Sequence, residues 1–390
     1  MWLLGWVSLA TDAATEAVYP LLPFFLTRIL RTSAISIGVI EGAAEATSSL
    51  LKIFAGQLAD RWRHKRPLVI AGYTISSLSR PFVAAATVWT GVFAVRVLDR
   101  VGKGIRTAPR DAMLAAWATS ASRGKVYGFH RGMDHLGAVV GPVLASLFLY
   151  FYPERYRLLF ALTIVPGVVA VALLFLVPEP EGSPGSSDSR TLAGRADAPI
   201  PLPRSFGSFM LVLLLFTLGN STDAFLLLRL TDAAGTVKNV PLMWAALHLV
   251  KAAVSIMCGG WSDRIGRRAV ITAGWLVYAV VYAGFALSTT IEMLFAWFLL
   301  YGVYYGFAEG AERALVADLA PAERLGFAFG VYNAVTGLGA LAASLLFGFV
   351  WTIFGAAAAF GLGSALALVA TALLFAIINR PHEKDSRDER

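Results

Sequence analysis

The sequence predicts an all-α polytopic membrane protein, with twelve transmembrane helices in two pseudo-symmetric six-helix halves. Three observations carry that expectation. Hydrophobic residues make up 57% of the 390 and charged ones only 15%, with a mean hydropathy of +0.67, so a water-soluble globule would lack the polar surface it needs. A short charged string occurs twice: Gly56-Gln57-Leu58-Ala59-Asp60-Arg61 runs into Lys65-Arg66, and Gly259-Gly260-Trp261-Ser262-Asp263-Arg264 runs into Arg267-Arg268. Gly104, Gly128 and Gly137 reappear 202 residues later as Gly306, Gly330 and Gly339, which marks a duplicated bundle.

A spanning helix takes roughly 20 apolar residues, and about twelve such stretches follow one another. In the first half they lie near 3–29, 35–58, 67–88, 90–114, 125–150 and 156–178, and in the second near 205–230, 240–261, 268–287, 290–314, 325–350 and 354–378. The first holds Asp12 and Glu16 and has neither a basic leader nor a small-residue cleavage site, so it reads as a retained helix. Each duplicated string falls after the second stretch of its half and reads as a tight charged turn. Residues 179–204, rich in Pro, Gly and Ser, cannot bury enough surface to fold alone and read as a linker. The expected organisation is a half at 1–178, a cytoplasmic linker at 179–204, a half at 205–380 and a cytoplasmic tail at 381–390. Cys258 is the single cysteine, in an apolar stretch, which excludes a disulfide framework and a cysteine metal cluster.

Basic residues set the expected orientation. Arg61, Arg63, Lys65 and Arg66 share one side with Arg123, Lys125, Arg190, Arg195, Arg204, Arg264, Arg267, Arg268 and the tail residues Arg380, Lys384, Arg387 and Arg390. By the positive-inside tendency that side is the cytoplasm, with both termini there. The opposite side carries chiefly Arg28, Arg31, Arg155, Arg157 and Lys238. The net charge of +8 is thus accounted for by topology, and no nucleic-acid partner is expected.

Two six-helix halves, each with a Gly-x-x-x-Asp-Arg turn after its second helix, resemble the major facilitator superfamily over almost the whole chain. In that family the turn is a cytoplasmic gate latch, which implies a gate at Gly56, Asp60 and Arg61 and at Gly259, Asp263 and Arg264. The first copy has Arg63 where the family usually has Gly, and the second keeps Gly266. Arg100-Val101-Gly102-Lys103-Gly104 is similar to the family's Arg-x-x-Gln-Gly element. Gly137-x-x-x-Gly141-Pro142 is similar to the Gly-Pro element of proton-exchanging exporters, with ordinary close packing of small residues as the alternative. The resemblance to bacterial proton-coupled exporters implies an integral protein of the inner, cytoplasmic membrane. It further implies a secondary active transporter, working as a monomer, that moves a small organic solute by alternating access with proton-coupled efflux. Two alternatives stay open: an organic-anion uptake or exchange carrier, and a transport-inactive membrane sensor.

Charge inside membrane helices is costly, so its placement points to the site. On the fourth stretch Arg96, Arg100, Lys103, Thr107 and Arg110 fall within roughly 80° of arc, along about 21 Å of helix. Arg110 reads as an interface anchor, whereas Arg96, Arg100 and Lys103 read as cavity residues. Candidate acidic partners are Asp12 and Glu16, Glu41 and Glu45, and Asp99 and Asp111, the first two pairs at i, i+4 spacing. A salt-bridge lattice accounts for most of these groups. In the second half Asn220, Asp223, Glu309 and Asn333 are the polar positions expected at the cavity, and Arg110-Asp111 aligns with Glu312-Arg313 with its charge order inverted. Polar groups at matching places in two repeats mark a central site. A carboxylate whose cation is taken by substrate gains proton affinity, so Asp12, Glu16 and Asp223 are the expected proton-coupling residues. No metal-ligand spacing, nucleophile motif or phosphate-binding loop is present, so no cofactor, metal or enzymatic activity is expected.

Overall fold

The computed structural model describes residues 1–22, 25–32, 34–62, 64–180, 201–221, 223–234 and 240–378. Arg63, Arg190, Arg195, residue 235, Lys238, the tail from Arg380 onward, and the side chains of Arg28 and Glu41 lie outside the described residues. The first half comprises α1 (Trp2–Val18), α2 (Ala34–Arg61), α3 (Arg66–Ser79), α4 (Trp89–Trp117), α5 (Arg123–Phe151) and α6, in the pieces Tyr156–Leu162 and Ile164–Phe175. The second comprises α7, in the pieces Arg204–Gly219 and Asp223–Ala234, then α8 (Val240–Ile265), α9 (Arg267–Leu287), α10 (Ile291–Leu319), α11 (Leu325–Phe354) and α12 (Ala356–Ile378). No strand occurs among the described residues.

Among the described residues, eight helices are long and apolar enough to cross a membrane by hydropathy alone. The others fall short for physical reasons. α4 carries a file of buried charges, α2 holds Glu45, Lys52 and Asp60, α1 ends at Val18 before a 3-10 turn at Tyr19–Leu21, and α7 is interrupted. Interrupted helices are tolerated at membrane depth only where protein or a cavity satisfies the freed backbone. Large apolar side chains such as Leu144, Tyr150, Val165, Leu211 and Phe349 face outward, as lipid-facing positions require.

Each half is built on close helix contacts. In the first, Gly137 and Gly141 of α5 admit the α1 backbone at Leu9 and Ala13, so the Gly-Pro element serves here as a packing surface. Gly72 and Gly102 bring α3 and α4 together in the same way. The second half has an aromatic core, with Phe216 stacked on Trp275 at 4.3 Å and Tyr278 on Tyr282 at 4.1 Å. Between the halves, α2 packs on α11 and α5 on α8, which are equivalent pairs under the repeat.

Candidate functional site

Both charged turns cap a helix of the opposite half. Asp60 accepts the Gly326 N–H at 2.6 Å and the Phe327 N–H at 2.7 Å, at the start of α11. Asp263 accepts the Gly124 and Lys125 N–H groups at 2.9 Å each, at the start of α5. A carboxylate at a helix N-terminus satisfies orphan donors and meets the positive end of the helix dipole. The glycines make the approach possible: a Cβ on Gly259 would stand 2.6 Å from the Gly124 carbonyl oxygen, and one on Gly56 would overlap the Gly326 carbonyl. Gly266 adopts φ +95°, which a side chain would strain, and so turns the chain from α8 into α9.

The basic members of the turns take unlike roles. Arg61 and Arg264 are exposed and join no ion pair among the described residues. Arg267 instead reaches Asp263 and pairs with Asp318 at 3.1 Å, and Arg123 pairs with Asp318 at 2.6 Å across the halves. On the other turn Glu179 accepts the Lys65 N–H at 2.6 Å and so caps α3. Burial at that edge lowers the Lys65 ammonium from its ordinary pKa.

Above these latches lies a polar cavity between the halves. A chamber of about 290 Å³ is lined by Asp12, Glu45, Lys52, Lys103, Arg106, Arg110, Arg131, Asp134, Glu309, Arg313 and Asn333, among others. It shares Asp12, Lys103 and Arg131 with a chamber of about 200 Å³ that adds Glu16, Arg100, His135 and His248. A third, of about 160 Å³, shares Glu309 and Arg313 and is walled by Asn220, Tyr304, Tyr305, Glu312 and Tyr332.

The predicted residues fall into three groups. Lining the cavity without an ion pair within 4 Å among the described residues are Asp12, Glu16 and Lys103, and Glu16 Oε2 has no hydrogen-bond partner. Arg96 and Arg100 are buried beside them; Arg96 approaches Asp99 at 3.8 Å and lies 5.5 Å over the Tyr19 ring. Asp223, by contrast, is held by Lys251 at 3.0 Å, Tyr301 at 2.7 Å and Tyr305 at 3.3 Å. Glu309 reaches across the halves to Arg131 and His135, each at 3.2 Å. Asn220 sits in the break of α7 and donates to the Tyr304 hydroxyl at 3.1 Å, while Asn333 donates to the Phe329 carbonyl at 2.6 Å.

One expectation is corrected. Arg110 is no interface anchor: it is 7% exposed and hydrogen-bonds Asp111 at 3.0 Å. Of the candidate acids, the two on α4 itself take the following partners. Asp99 takes Arg80 at 3.0 Å, Asp111 takes Arg110 and Arg313, and Arg106 is accommodated by Ser76 at 2.6 Å and the Tyr73 ring at 4.2 Å. Arg80 was not singled out from the sequence, although a lone arginine in the apolar stretch 67–88 signals a buried partner. His248, with both ring nitrogens unpartnered and the His135 ring 5.4 Å away, is a further cavity residue whose setting only the tertiary contacts reveal.

A bundle of paired halves around a charged central cavity, closed at one end by matched latches, defines an integral membrane transporter. The Major Facilitator Superfamily model matches residues 4–247 and 209–390, and the chain belongs to that family. It is 32% identical over 383 residues to an uncharacterized MFS-type transporter of Methanocaldococcus jannaschii, covering 97% of this chain and 94% of the relative. It is 25% identical over 327 residues to the multidrug resistance protein MdtH of Cronobacter sakazakii, covering 80% and 79%. Among solved structures it is similar to the human organic anion transporter MFSD10, with a TM-score of 0.79 at 18% identity over 95% of this chain and 98% of that one. The proton:xylose symporter XylE gives a TM-score of 0.75 at 14% identity over 96% and 94%. The last two likenesses speak to the fold.

Proposed function

We propose that the protein is a secondary active transporter that exports a small polar organic solute by alternating access, in exchange for protons. Its basic turns, linker and both termini face the cytoplasm of a bacterial inner membrane, and it works as a monomer of two halves, 1–178 and 205–380, without cofactor or metal. The pair of carboxylate latches carries this reading. Asp60 and Asp263 tie each half to a helix N-terminus of the other, at matching repeat positions and at one end of the cavity. Contacts of that kind break together when two rigid bodies rock.

In this reading Arg100 and Lys103 supply the positive field, Arg96, Asn220, Glu309 and Asn333 complete the lining, and Asp12, Glu16 and Asp223 carry protons. A solute entering so charged a chamber must itself be polar, because an apolar one would strip water from the side chains and return no hydrogen bonds. Export as the direction rests on relatives named as multidrug resistance proteins. A second reading, organic-anion uptake or exchange, is favoured by one observation: Arg100, Lys103 and Arg106 of one helix all line the cavity. Purified protein in liposomes under an imposed proton gradient, screened against matched anionic, zwitterionic, cationic and neutral solutes, separates these. Accumulation opposite to the proton flow supports exchange, uptake of anions alone supports the second reading, and a sensor moves nothing under any gradient.

A further inference from the structure

Asp111 and Arg313 stand 202 residues apart, the offset of the internal repeat, and they form an ion pair with each other. Repeat-equivalent residues meet only on the pseudo-two-fold axis that relates the halves, so this bridge marks the axis. Their neighbours break the symmetry, because Arg110 in α4 aligns with Glu312 in α10. Arg110 donates to the same Asp111, through Nε at 3.2 Å and Nη2 at 3.0 Å. One carboxylate therefore serves two guanidinium groups. Glu312, only 5% exposed, closes no ion pair within 4 Å among the described residues. Its oxygens accept from two neutral donors instead, Trp275 Nε1 at 2.9 Å and the Tyr332 hydroxyl at 3.1 Å.

The charged groups around Glu312 are committed elsewhere. Arg313 on α10 is taken by Asp111 of α4, with its guanidinium 5.2 Å over the Tyr332 ring. Glu309, one turn back on α10, is matched by Arg131 and His135 of α5, and Lys251 of α8 by Asp223 of α7. Tyr304 of α10 faces Glu312 as a further neutral group, beside Trp275 of α9 and Tyr332 of α11. A buried ionised carboxylate without a cation is costly, and a proton removes that cost.

We propose that Glu312 is a proton switch of the conformational cycle: it holds a proton while Arg313 is engaged with Asp111, and releases it when the halves part and Arg313 turns to Glu312. The proposal rests on the proton-coupled reading above and adds a residue outside its coupling set. The proton is accounted for in both states: with Glu312 protonated the four groups carry one net positive charge, and with it ionised they carry none. In the closed state Asp111 takes both arginines and Glu312 is a neutral acid. When the basic-turn end opens, Arg110–Asp111 stays in one half and Arg313–Glu312 forms in the other, the O–H bond of Glu312 breaks, and the proton leaves toward the basic-turn side. The Arg110–Asp111 bond on α4 is an existing pair of this kind at the repeat-equivalent position.

The test needs no substrate. Ser255, 1% exposed where Gly128 of α5 approaches its carbonyl, is replaced by cysteine in a Cys258→Ser background. Maleimide labelling is followed against pH and divided by the rate at Arg268→Cys, which lies on the exposed turn. The parent labels severalfold faster as pH rises, Glu312→Gln labels slowly at every pH, and Asp111→Asn labels fast at every pH. Damage to the fold raises labelling in any variant, so slow labelling of Glu312→Gln is not a folding artefact. Infrared difference spectra of the same parent samples show a protonated-carboxyl band at low pH that Glu312→Gln lacks. A Glu312→Gln profile that follows the parent's, or a band that survives the substitution, overturns the proposal. The liposome assay judges proton coupling separately, so failure here and failure there are distinguishable.

Discussion

Replacing Asp60 by asparagine tests the latch at a magnitude the geometry sets. The carboxylate accepts two short backbone bonds, 2.6 Å from Gly326 and 2.7 Å from Phe327. Asparagine keeps one acceptor and turns an NH2 group toward the second N–H. A lost hydrogen bond to a charged group is worth about 1.5–3 kcal/mol, and the lost charge at a helix N-terminus about 0.3–1 kcal/mol more. Asp60 is half-buried, so the lower part of that range applies, about 2–3 kcal/mol, or roughly 30- to 150-fold in the equilibrium between the closed and open basic-turn end.

The assay is a distance measurement between spin labels on the two exposed turns, at His64 in one half and Arg268 in the other, in a Cys258→Ser background. The parent gives mainly the short distance, and Asp60→Asn moves a large fraction of molecules to a longer one. Transport by the variant drops sharply while expression and membrane insertion hold, because a latch is removed and no core contact is lost. An open population within about twofold of the parent's refutes the reasoning, since even a single neutral hydrogen bond is worth more than that.

Other outcomes follow from the same contacts. Arg100→Ala and Lys103→Ala lower solute transport by about ten- to a hundredfold each, the worth of a charge-assisted bond, whereas Arg61→Ala, exposed in the turn, changes it by less than about twofold; liposome flux decides, and the reverse order refutes the cavity assignment. Gly128→Ala forces α5 off α8, because its Cβ would stand 2.5 Å from the Ser255 carbonyl oxygen and 2.7 Å from the Gly259 Cα; such overpacking costs about 1–3 kcal/mol and shows as faster labelling at Ser255→Cys. Glu16→Gln or Asp223→Asn retains solute exchange down a gradient but loses proton-driven accumulation, with Asp12→Asn as the companion; if all three variants accumulate at the parent rate, these carboxylates are structural. Cysteines at residue 190 and beyond 380 resist an impermeant reagent applied from outside, and one at residue 235 reacts; labelling at 190 from outside refutes the orientation.

The bundle and its duplication were legible because a membrane punishes misplaced polarity more severely than water does. Runs of apolar residues, two charged turns and glycines at one offset were enough to expect twelve helices in two halves, and the family match and the shared fold bear that out. Partner choice was not legible. The stripe on α4 signalled buried cations, but which acid meets which guanidinium depends on interhelical distance and rotamer, so Arg80–Asp99 and Arg313–Asp111 emerge only in three dimensions. Helix breaks were also hidden. The run 205–230 reads as continuous by hydropathy, yet Asn220 ends its first piece and Asp223 starts the second, because tyrosine hydroxyls at that depth satisfy the polar groups the break exposes.

At an offset slightly different from 202, the sequence also aligns Asp223 with Glu16, and that alignment shows what a repeat can and cannot reveal. Equivalent positions share a place in the helix framework, since backbone geometry is what duplication copies. Their electrostatic settings are fixed by different neighbours: Lys251 lies against Asp223, whereas Lys103, on the helix that faces Glu16, comes no closer than the ion-pair limit. An acid already matched by a cation gains a proton only when that cation is displaced, and an acid facing an open chamber gains one when the chamber's charge changes. In the proposed proton-exchange cycle the two carboxylates respond to different events, helix displacement for Asp223 and chamber occupancy for Glu16. A duplicated scaffold with unequal partners is what would let that proposed cycle sense both.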